Sequence, residues 1–369
     1  MVEPRQTTIT NASNALPNDE RVILLTQWLQ TLPANFGILS ETLSVASADA
    51  SFRRYFRVKG TAQHPSFIVM DAPPTHEDCQ PFIHVAQLFG SSGVNVPKIL
   101  AQDLAQGFLL LSDLGDTTFL TALNADLSQA DELYRQALKA LVQLQKASQP
   151  DVLPDYDRER LLNEMMLFPQ WYLGVHYQYT LTDEQTAALT KVFNALLDNN
   201  TAQTPVWVHR DFHSRNLMLV EGARDDVAVN PGIIDFQDAV YGPITYDAVS
   251  LLRDAYIEWP EDQQIDWLAR YWEMARAAGL AVPDTFDVFY RDFEFMGLQR
   301  HLKVLGIFAR LYHRDGKSGY LKDLPLVLKY TRQVAARYRE FGPLLRLLDD
   351  VAQKSDGAGA DTTQVGYTF

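Results

Sequence analysis

The sequence predicts an α+β chain of two lobes: a small antiparallel-sheet N-lobe, then a larger, mostly helical C-lobe. Three observations predict it. Strand-like runs bounded by turn residues crowd into the part before residue 112. From residue 117 to about 350 the apolar residues recur at mostly helical spacing. One hairpin-like stretch, residues 217–220 and 232–235, interrupts that helical part, and polar residues gather beside it. At 369 residues, 47% hydrophobic and 21% charged, the chain has length and core enough for two lobes without disulfide staples.

The elements follow in order. Residues 21–31 carry Val22, Leu25 and Leu29 on one helical face. Residues 38–46 and 54–59 read as strands around the turn Ala48-Asp49-Ala50-Ser51-Phe52. A third strand, residues 66–71, is stopped by Pro73-Pro74. A helix is expected over 78–91, then strands over 96–100 and 107–111. Ser112-Asp113-Leu114-Gly115-Asp116 is a polar break. The divisions are therefore an N-lobe over 21–111, a hinge over 112–116, a C-lobe over 117–352 and a mobile tail over 353–369.

The bulk numbers exclude some partners. A formal charge of −14 argues against nucleic acid or an anionic membrane surface. No run of about 18 apolar residues is present, and residues 1–20 lack the apolar core of a signal peptide. The single cysteine, Cys79, rules out an intrachain disulfide and fits a reducing cytoplasm. No protein partner is expected.

The most specific stretch is Val208-His209-Arg210-Asp211-Phe212-His213-Ser214-Arg215-Asn216, followed by Gly232-Ile233-Ile234-Asp235-Phe236. His209, Arg210, Asp211 and Asn216 meet the pattern H-R-D-x-x-x-x-N residue for residue, and Asp235 closes an apolar run 19 residues after Asn216. This order suits phosphoryl transfer from ATP. Asp211 is the candidate catalytic base or hydroxyl-orienting group. Asn216 and Asp235 are candidate Mg²⁺ ligands, because that hard ion takes oxygen donors. His209 reads as structural, buried under the loop. Arg210 and His213 either contact substrate or brace the loop. Asp247 reads as a cap and brace for a helix over 248–256.

These motifs resemble the signature of the aminoglycoside phosphotransferase and choline kinase superfamily, with its protein-kinase-like two-lobe fold. Within it, the chain looks like the bacterial anomeric kinases of N-acetylmuramate and N-acetylglucosamine. The resemblance covers residues 49 to 306. Its segments are Asp49-Ala50-Ser51-Phe52-Arg53-Arg54-Tyr55-Phe56-Arg57, Met70-Asp71-Ala72-Pro73-Pro74, Leu111-Ser112-Asp113-Leu114-Gly115-Asp116, the catalytic stretch, Tyr241-Gly242-Pro243-Ile244-Thr245-Tyr246-Asp247, and residues 297–306 around Arg300, His301 and Lys303. It implies a cytoplasmic, ATP- and Mg²⁺-dependent kinase making sugar 1-phosphates for peptidoglycan recycling.

The chain departs from the usual nucleotide-binding pattern twice. The turn at 48–52 carries Ala50 and Ser51 where glycines usually close over phosphates. Ser51 and the nearby Arg53, Arg54 and Arg57 are the candidate phosphate contacts; three arginines in five residues also suit a solvated strand edge. The third strand ends in Met70-Asp71 where a kinase carries lysine, and Glu77 is the only glutamate near the following helix. Ser112, Asp113 and Leu114 are the candidate adenine-reading hinge. Asp235 is followed at once by Gly242-Pro243, which leaves no room for a peptide-docking platform.

The acceptor is therefore expected to be a compact amino sugar. Glu164, His213, Arg300 and Lys303 are candidate substrate contacts, the two cations suiting a lactyl carboxylate. The alternatives are another small hydroxyl acceptor, such as an aminoglycoside or choline-like amine, and a nucleotide-binding pseudokinase module, which the missing lysine favours.

Overall fold

The computed structural model describes residues 19–48, 52–61, 65–220 and 230–357. The chain divides into two compact units. One takes residues up to Ser91 together with Asn95–Gly115; the other takes Ser92–Val94 and everything from Asp116.

In the first unit the order is α1 (Glu20–Thr31), β1 (Leu39–Ala48), β2 (Arg54–Lys59), β3 (Ser66–Asp71), α2 (Gln80–Ser91), β4 (Ile99–Asp103) and β5 (Phe108–Ser112). The five strands form one antiparallel sheet in the order β1-β2-β3-β5-β4. Asp19 starts α1 by accepting a 2.9 Å hydrogen bond from the Val22 amide. The helix buries Val22, Leu25, Trp28 and Leu29 in one cluster with alternate residues of the central strands: Phe56 and Val58, Phe67 and Val69, Phe108 and Leu110. Each such side chain stabilises by about 1.5–3 kcal/mol when fully buried, so Leu25→Ala would loosen α1 first. Met70, Leu109 and Leu111, facing the other way, are buried too.

Some boundaries move from expectation. β4 begins at Ile99, not residue 96. Pro97 has no N–H for a ladder, and Lys98 instead pairs with Ser112 through both its amide and its carbonyl. β1 runs on to Ala48, and α2 starts at Gln80.

The second unit contains α3 (Phe119–Ala125), α4 (Ala130–Lys146), α5 (Arg158–Met165), a π-helical segment (Phe168–His176), α6 (Asp183–Ala202), β6 (Pro205–Val208), β7 (Leu217–Met218), β8 (Gly232–Ile233), β9 (Val240–Pro243), α7 (Tyr246–Leu252), α8 (Glu261–Ala277), α9 (Phe286–His313), α10 (Leu324–Arg337) and α11 (Gly342–Gly357). The 28-residue α9 is its axis, buried from Phe289 to Ala309 at most positions. Gly306 lets the π-helical segment lie against α9: a Cβ there would sit 2.4 Å from the Leu167 carbonyl carbon. Two short ladders, β6 with β9 and β7 with β8, flank the catalytic stretch.

The expected helix over 248–256 is instead α7 from Tyr246, because Asp247 belongs to its first turn and Arg253 leaves helical geometry at φ −120°, ψ 51°. Residues 353–357, expected within the tail, are instead the last residues of α11. Residues 358–369 lie outside the described residues, as does Ser51. No helix among the described residues is long and apolar enough to cross a membrane.

Candidate active site

The catalytic stretch leaves β6 at Val208 and turns sharply. Arg210 takes φ +77° and Asp235 takes φ +65°, a region costly for residues with a Cβ. Neighbouring groups hold these conformations in place. Asp247, fully buried, accepts from the His209 amide at 2.7 Å and the Arg210 amide at 3.0 Å. Burial pushes its carboxyl up to about 7, although both amide donors favour the ionised form.

His209 is buried and uses both ring nitrogens. Nδ1 accepts from the Asp211 amide at 3.2 Å, so Nε2 carries the proton and donates to the Ile234 carbonyl at 3.0 Å. Burial pushes this imidazole down to about 4 and keeps it neutral. It ties the loop to the strand that delivers Asp235.

Asn216 joins the two aspartates. Its amide nitrogen donates to the Asp211 carbonyl at 3.1 Å and to Asp235 Oδ2 at 3.2 Å. Gln237 donates to Asp235 Oδ1 at 2.8 Å. With its nitrogen so engaged, Asn216 keeps Oδ1 as a donor atom beside the Asp235 carboxylate. Two oxygen donors side by side are what a hard divalent cation such as Mg²⁺ takes from protein, the rest coming from phosphate and water.

Behind the loop lies a dense ionic network. Glu164, on α5, takes ion pairs from Arg210 and from Lys303 (3.1 Å), and a hydrogen bond from the Tyr156 hydroxyl. Burial raises the Glu164 carboxyl, but the Lys303 and Arg210 charges outweigh it and hold the group below its usual range. Arg300 donates to the Arg210 carbonyl at 2.7 Å and the Tyr246 hydroxyl at 3.0 Å, and its other nitrogen lies 3.6 Å from Asp211 Oδ1. Lys303 also reaches the Tyr246 hydroxyl at 3.0 Å. The Asp211 side chain keeps 43% of its surface open, yet its packed inner side is partly desolvated. That desolvation would raise its carboxyl; Arg300, Lys303 and Arg210 overcome it and keep the group well below the carboxylate range.

Of the four residues expected to touch substrate, Glu164, Arg300 and Lys303 thus join Asp211 in one network, their charges answered by one another. His213 is outside that ionic network but on the same loop: its amide donates to the Asp211 carbonyl at 3.0 Å, and its ring is edge-on to Tyr256 at 5.3 Å between centroids. Sequence reasoning did not single out Asp254. Its buried carboxylate accepts from the Ser214 amide (3.0 Å) and hydroxyl through Oδ2, and from the Tyr256 amide (3.1 Å) through Oδ1. No motif marks it; it follows α7 as one more acid in an ordinary polar turn.

The nucleotide candidates fall in the first unit and are also engaged. Arg54 and Arg21 both grip the buried Asp71 at the end of β3, Arg54 through contacts of 3.0 and 2.6 Å, and Arg54 also pairs with Asp19. Arg57 makes a two-point pair with Asp113 (2.6 and 3.1 Å) and donates to the Gly115 carbonyl at 2.8 Å. Ser112, the last residue of β5, gives its amide to the Lys98 carbonyl and accepts from the Lys98 amide at its hydroxyl. Leu114 is half-buried. Arg53 pairs with Glu77 at 3.0 Å, and one residue earlier Phe52 stacks on His76 at 4.5 Å. Phe52 and Arg53 are thereby joined to the stretch that precedes α2.

The chain is similar to known proteins in family, sequence and fold. The profile of the phosphotransferase enzyme family (APH) matches residues 42–284. An N-acetylmuramate/N-acetylglucosamine kinase of Neisseria meningitidis serogroup B is 47% identical over 352 residues, covering 95% of this chain and 100% of the relative. A protein of the same description from Pseudomonas aeruginosa is 45% identical over 348 residues, covering 92% and 100%. Among solved structures, the fold is similar to the ADP-bound aminoglycoside phosphotransferase APH(2'')-Ib (TM-score 0.55, 14% identity, 86% of this chain and 99% of that one). It is also similar to a Plasmodium vivax ethanolamine kinase (TM-score 0.58, 10% identity, 87% and 92%).

Proposed function

The chain belongs to the phosphotransferase enzyme family, and from that premise we propose that it is an ATP-dependent kinase of N-acetylmuramate and N-acetylglucosamine, acting at the anomeric hydroxyl. One observation supports phosphoryl transfer most directly: the Asn216 amide links Asp211 to Asp235, bringing the hydroxyl-orienting carboxylate and the metal-ligand pair into one cluster. The sugar rests on the relatives, which carry both acceptors in their names at 45–47% identity.

Each residue then has a role. Asp211 holds the acceptor hydroxyl and takes its proton as the oxygen bonds to the γ-phosphorus; the bond to the bridging oxygen breaks and ADP leaves. A carboxylate held so acidic is a weak base, so its main work is orientation, as suits a loose transition state needing little deprotonation in advance. Asn216 Oδ1 and Asp235 are the Mg²⁺ ligands, and the bound ion would neutralise charge on the phosphates. Arg210, Glu164, Arg300 and Lys303 fix the loop and the acceptor side, and His213 borders it.

On the nucleotide side, Arg53 with Glu77 supplies the cation–glutamate pair that the missing lysine would have provided. Arg54 and Arg57 contribute less, since Asp71, Asp19 and Asp113 answer their charges. Ser51 offers its hydroxyl and amide to phosphate. The backbone of Asp113 and Leu114 reads adenine; Ser112 has its amide committed to Lys98. These substrates place the work in the cytoplasm, in the reuse of cell-wall sugars.

A coupled ADP-release assay over N-acetylmuramate, N-acetylglucosamine, choline and kanamycin tests the reading. Magnesium-dependent turnover of the two amino sugars is expected. Turnover of choline or kanamycin with neither amino sugar would overturn the substrate; ATP binding without any turnover would leave a pseudokinase.

A further inference from the structure

The two sugars differ in one charged group. N-acetylmuramate carries a lactyl carboxylate that N-acetylglucosamine lacks. A kinase that takes both needs a cation the carboxylate can reach, yet one not so committed that its absence from the sugar leaves a buried charge unpaired. The expected cations do not fit that description. Lys303 is buried at 5% exposure against Glu164, and Arg300, at 7%, is spent on Asp211, Tyr246 and the Arg210 carbonyl.

Arg215 fits it. It lies four residues after Asp211 and one before Asn216 and is exposed. Its guanidinium sits 4.6 Å above the Tyr256 ring. Among the described residues it has no carboxylate within ion-pair distance; its electrostatic partners are the Tyr256 hydroxyl, to which it hydrogen-bonds, the Tyr320 hydroxyl and, more weakly, the half-buried Asp323. Its position is rigid where it matters. Asp254 clamps the neighbouring Ser214 with one carboxylate oxygen and the Tyr256 amide with the other, so the ring is fixed against the loop that carries the guanidinium. Tyr256 continues into an aromatic patch, Phe308 at 6.4 Å and Tyr320 at 5.1 Å from Phe308, with His213 on its edge. Phe308 is buried and backs the patch, while Tyr256 and Tyr320 stay partly exposed. Flat, partly exposed rings suit the apolar face of a pyranose, and a stacked guanidinium at their rim suits a carboxylate.

We propose that Arg215, held on Tyr256, is the residue that recognises the lactyl carboxylate and sets preference between the two sugars. This rests on the kinase reading above and adds the specificity element to the same site.

The test is the ratio of kcat/KM for N-acetylmuramate to that for N-acetylglucosamine. In Arg215→Ala it should fall by roughly 10-fold or more, the scale of one lost charge-assisted hydrogen bond. Arg215→Lys should recover part of the loss, keeping the charge but not the two-point geometry. A ratio within twofold of the parent protein in a folded Arg215→Ala overturns the proposal and leaves the kinase reading standing. The unmodified protein supplies an independent arm. It should discriminate against the lactyl methyl ester of N-acetylmuramate by a similar factor, and equal turnover of acid and ester overturns the proposal even if the variant does not fold. Turnover of neither sugar by the parent protein brings down both readings.

Discussion

Arg300 holds one guanidinium nitrogen 3.6 Å from Asp211 Oδ1 while the other donates at 2.7 Å to the carbonyl of Arg210, the residue just before it. One side chain of α9 thus touches both the backbone and the carboxylate of the catalytic turn. Tyr246, which accepts from Arg300 and Lys303 alike, locks that guanidinium from behind.

This arrangement makes Arg300 a positioning residue whose effect should run through Asp211. Asp211→Asn should lower kcat by roughly 10²–10⁴. Arg300→Gln should lower it less, with a smaller change in the KM for sugar. The double variant should be about as slow as Asp211→Asn alone, because residues acting as a unit are not additive. Steady-state kinetics of the four proteins check this. Fully additive losses would mean that Arg300 acts independently, and activity of Asp211→Asn within threefold of the parent would remove Asp211 from the mechanism.

Asp235 and Asn216 should fail differently from Asp211. Asp235→Asn should abolish turnover while nucleotide binding, followed by calorimetry, persists in weakened and less magnesium-sensitive form. Turnover of the parent protein that survives EDTA would sink the kinase reading altogether.

The sequence made the centre of the candidate site legible as a proposal, because phosphoryl transfer needs fixed residue types at fixed spacing, and the structure brings Asp211, Asn216 and Asp235 together within one loop and one hairpin. The fold was legible for a similar reason, since Phe56, Val58, Phe67 and Val69 alternate as half-buried strands must. What supports the centre was legible only in part: Asp247 reads as a brace and Glu164 as a substrate contact, but their partners do not show in the sequence, and Asp254 does not show at all. Asp254 and Asp247 act through buried hydrogen bonds to amides 40 and 38 residues away, and Glu164 through cations 46 and 139 residues away. No local pattern reports such pairings. The arginines of 53–57 show the reverse error: read as one basic cluster, they point in three directions once β2 is formed, to Glu77, to Asp71 with Asp19, and to Asp113.

Those three pairings yield a graded expectation. Arg53→Ala should raise the KM for ATP several-fold with little loss of stability. Arg54→Ala should chiefly lower stability, because it leaves the buried Asp71 with one arginine fewer. Arg57→Ala should have the smaller kinetic effect of the two flanking the sheet interior. ATP kinetics beside thermal melts separate the cases. An unchanged KM in all three would place the phosphate-binding cation elsewhere.

Buried histidines should shape stability against pH. Burial pushes His209 down to about 4 and His301 to about 3, while an unfolded imidazole titrates near 6.5. Below about 6.5 the unfolded chain takes up protons that the folded chain refuses, so stability falls as pH drops from 6.5 toward 4. Asp247, pushed up to about 7, has the opposite slope, so a single-residue comparison is the clean measurement. His301 stacks on Tyr330 at 5.2 Å, and His301→Phe keeps that contact. Urea unfolding between pH 8 and 4.5 should show a shallower acid decline in the variant. Parallel curves would mean that His301 accepts its proton in the folded state.

The product itself is the sharpest expectation. An anomeric hydroxyl is more acidic than the other hydroxyls of a sugar, so a weak base can assist its deprotonation with less mismatch. Asp211 is such a base, since Arg300, Lys303 and Arg210 keep its carboxyl well below the usual range despite the burial that opposes them. A C6 hydroxyl would ask more of a carboxylate than this one offers. The chain between Asp235 and α7 is short and carries the β9 ladder, so it presents no long segment for a polymeric acceptor. The expected product is therefore the N-acetylhexosamine 1-phosphate. Phosphorus–proton correlation in the NMR spectrum should connect the new phosphate to the anomeric proton. Correlation to the C6 methylene protons instead would refute the anomeric assignment, and with it the idea that the weak basicity of Asp211 is matched to its acceptor, while leaving the amino-sugar kinase in place.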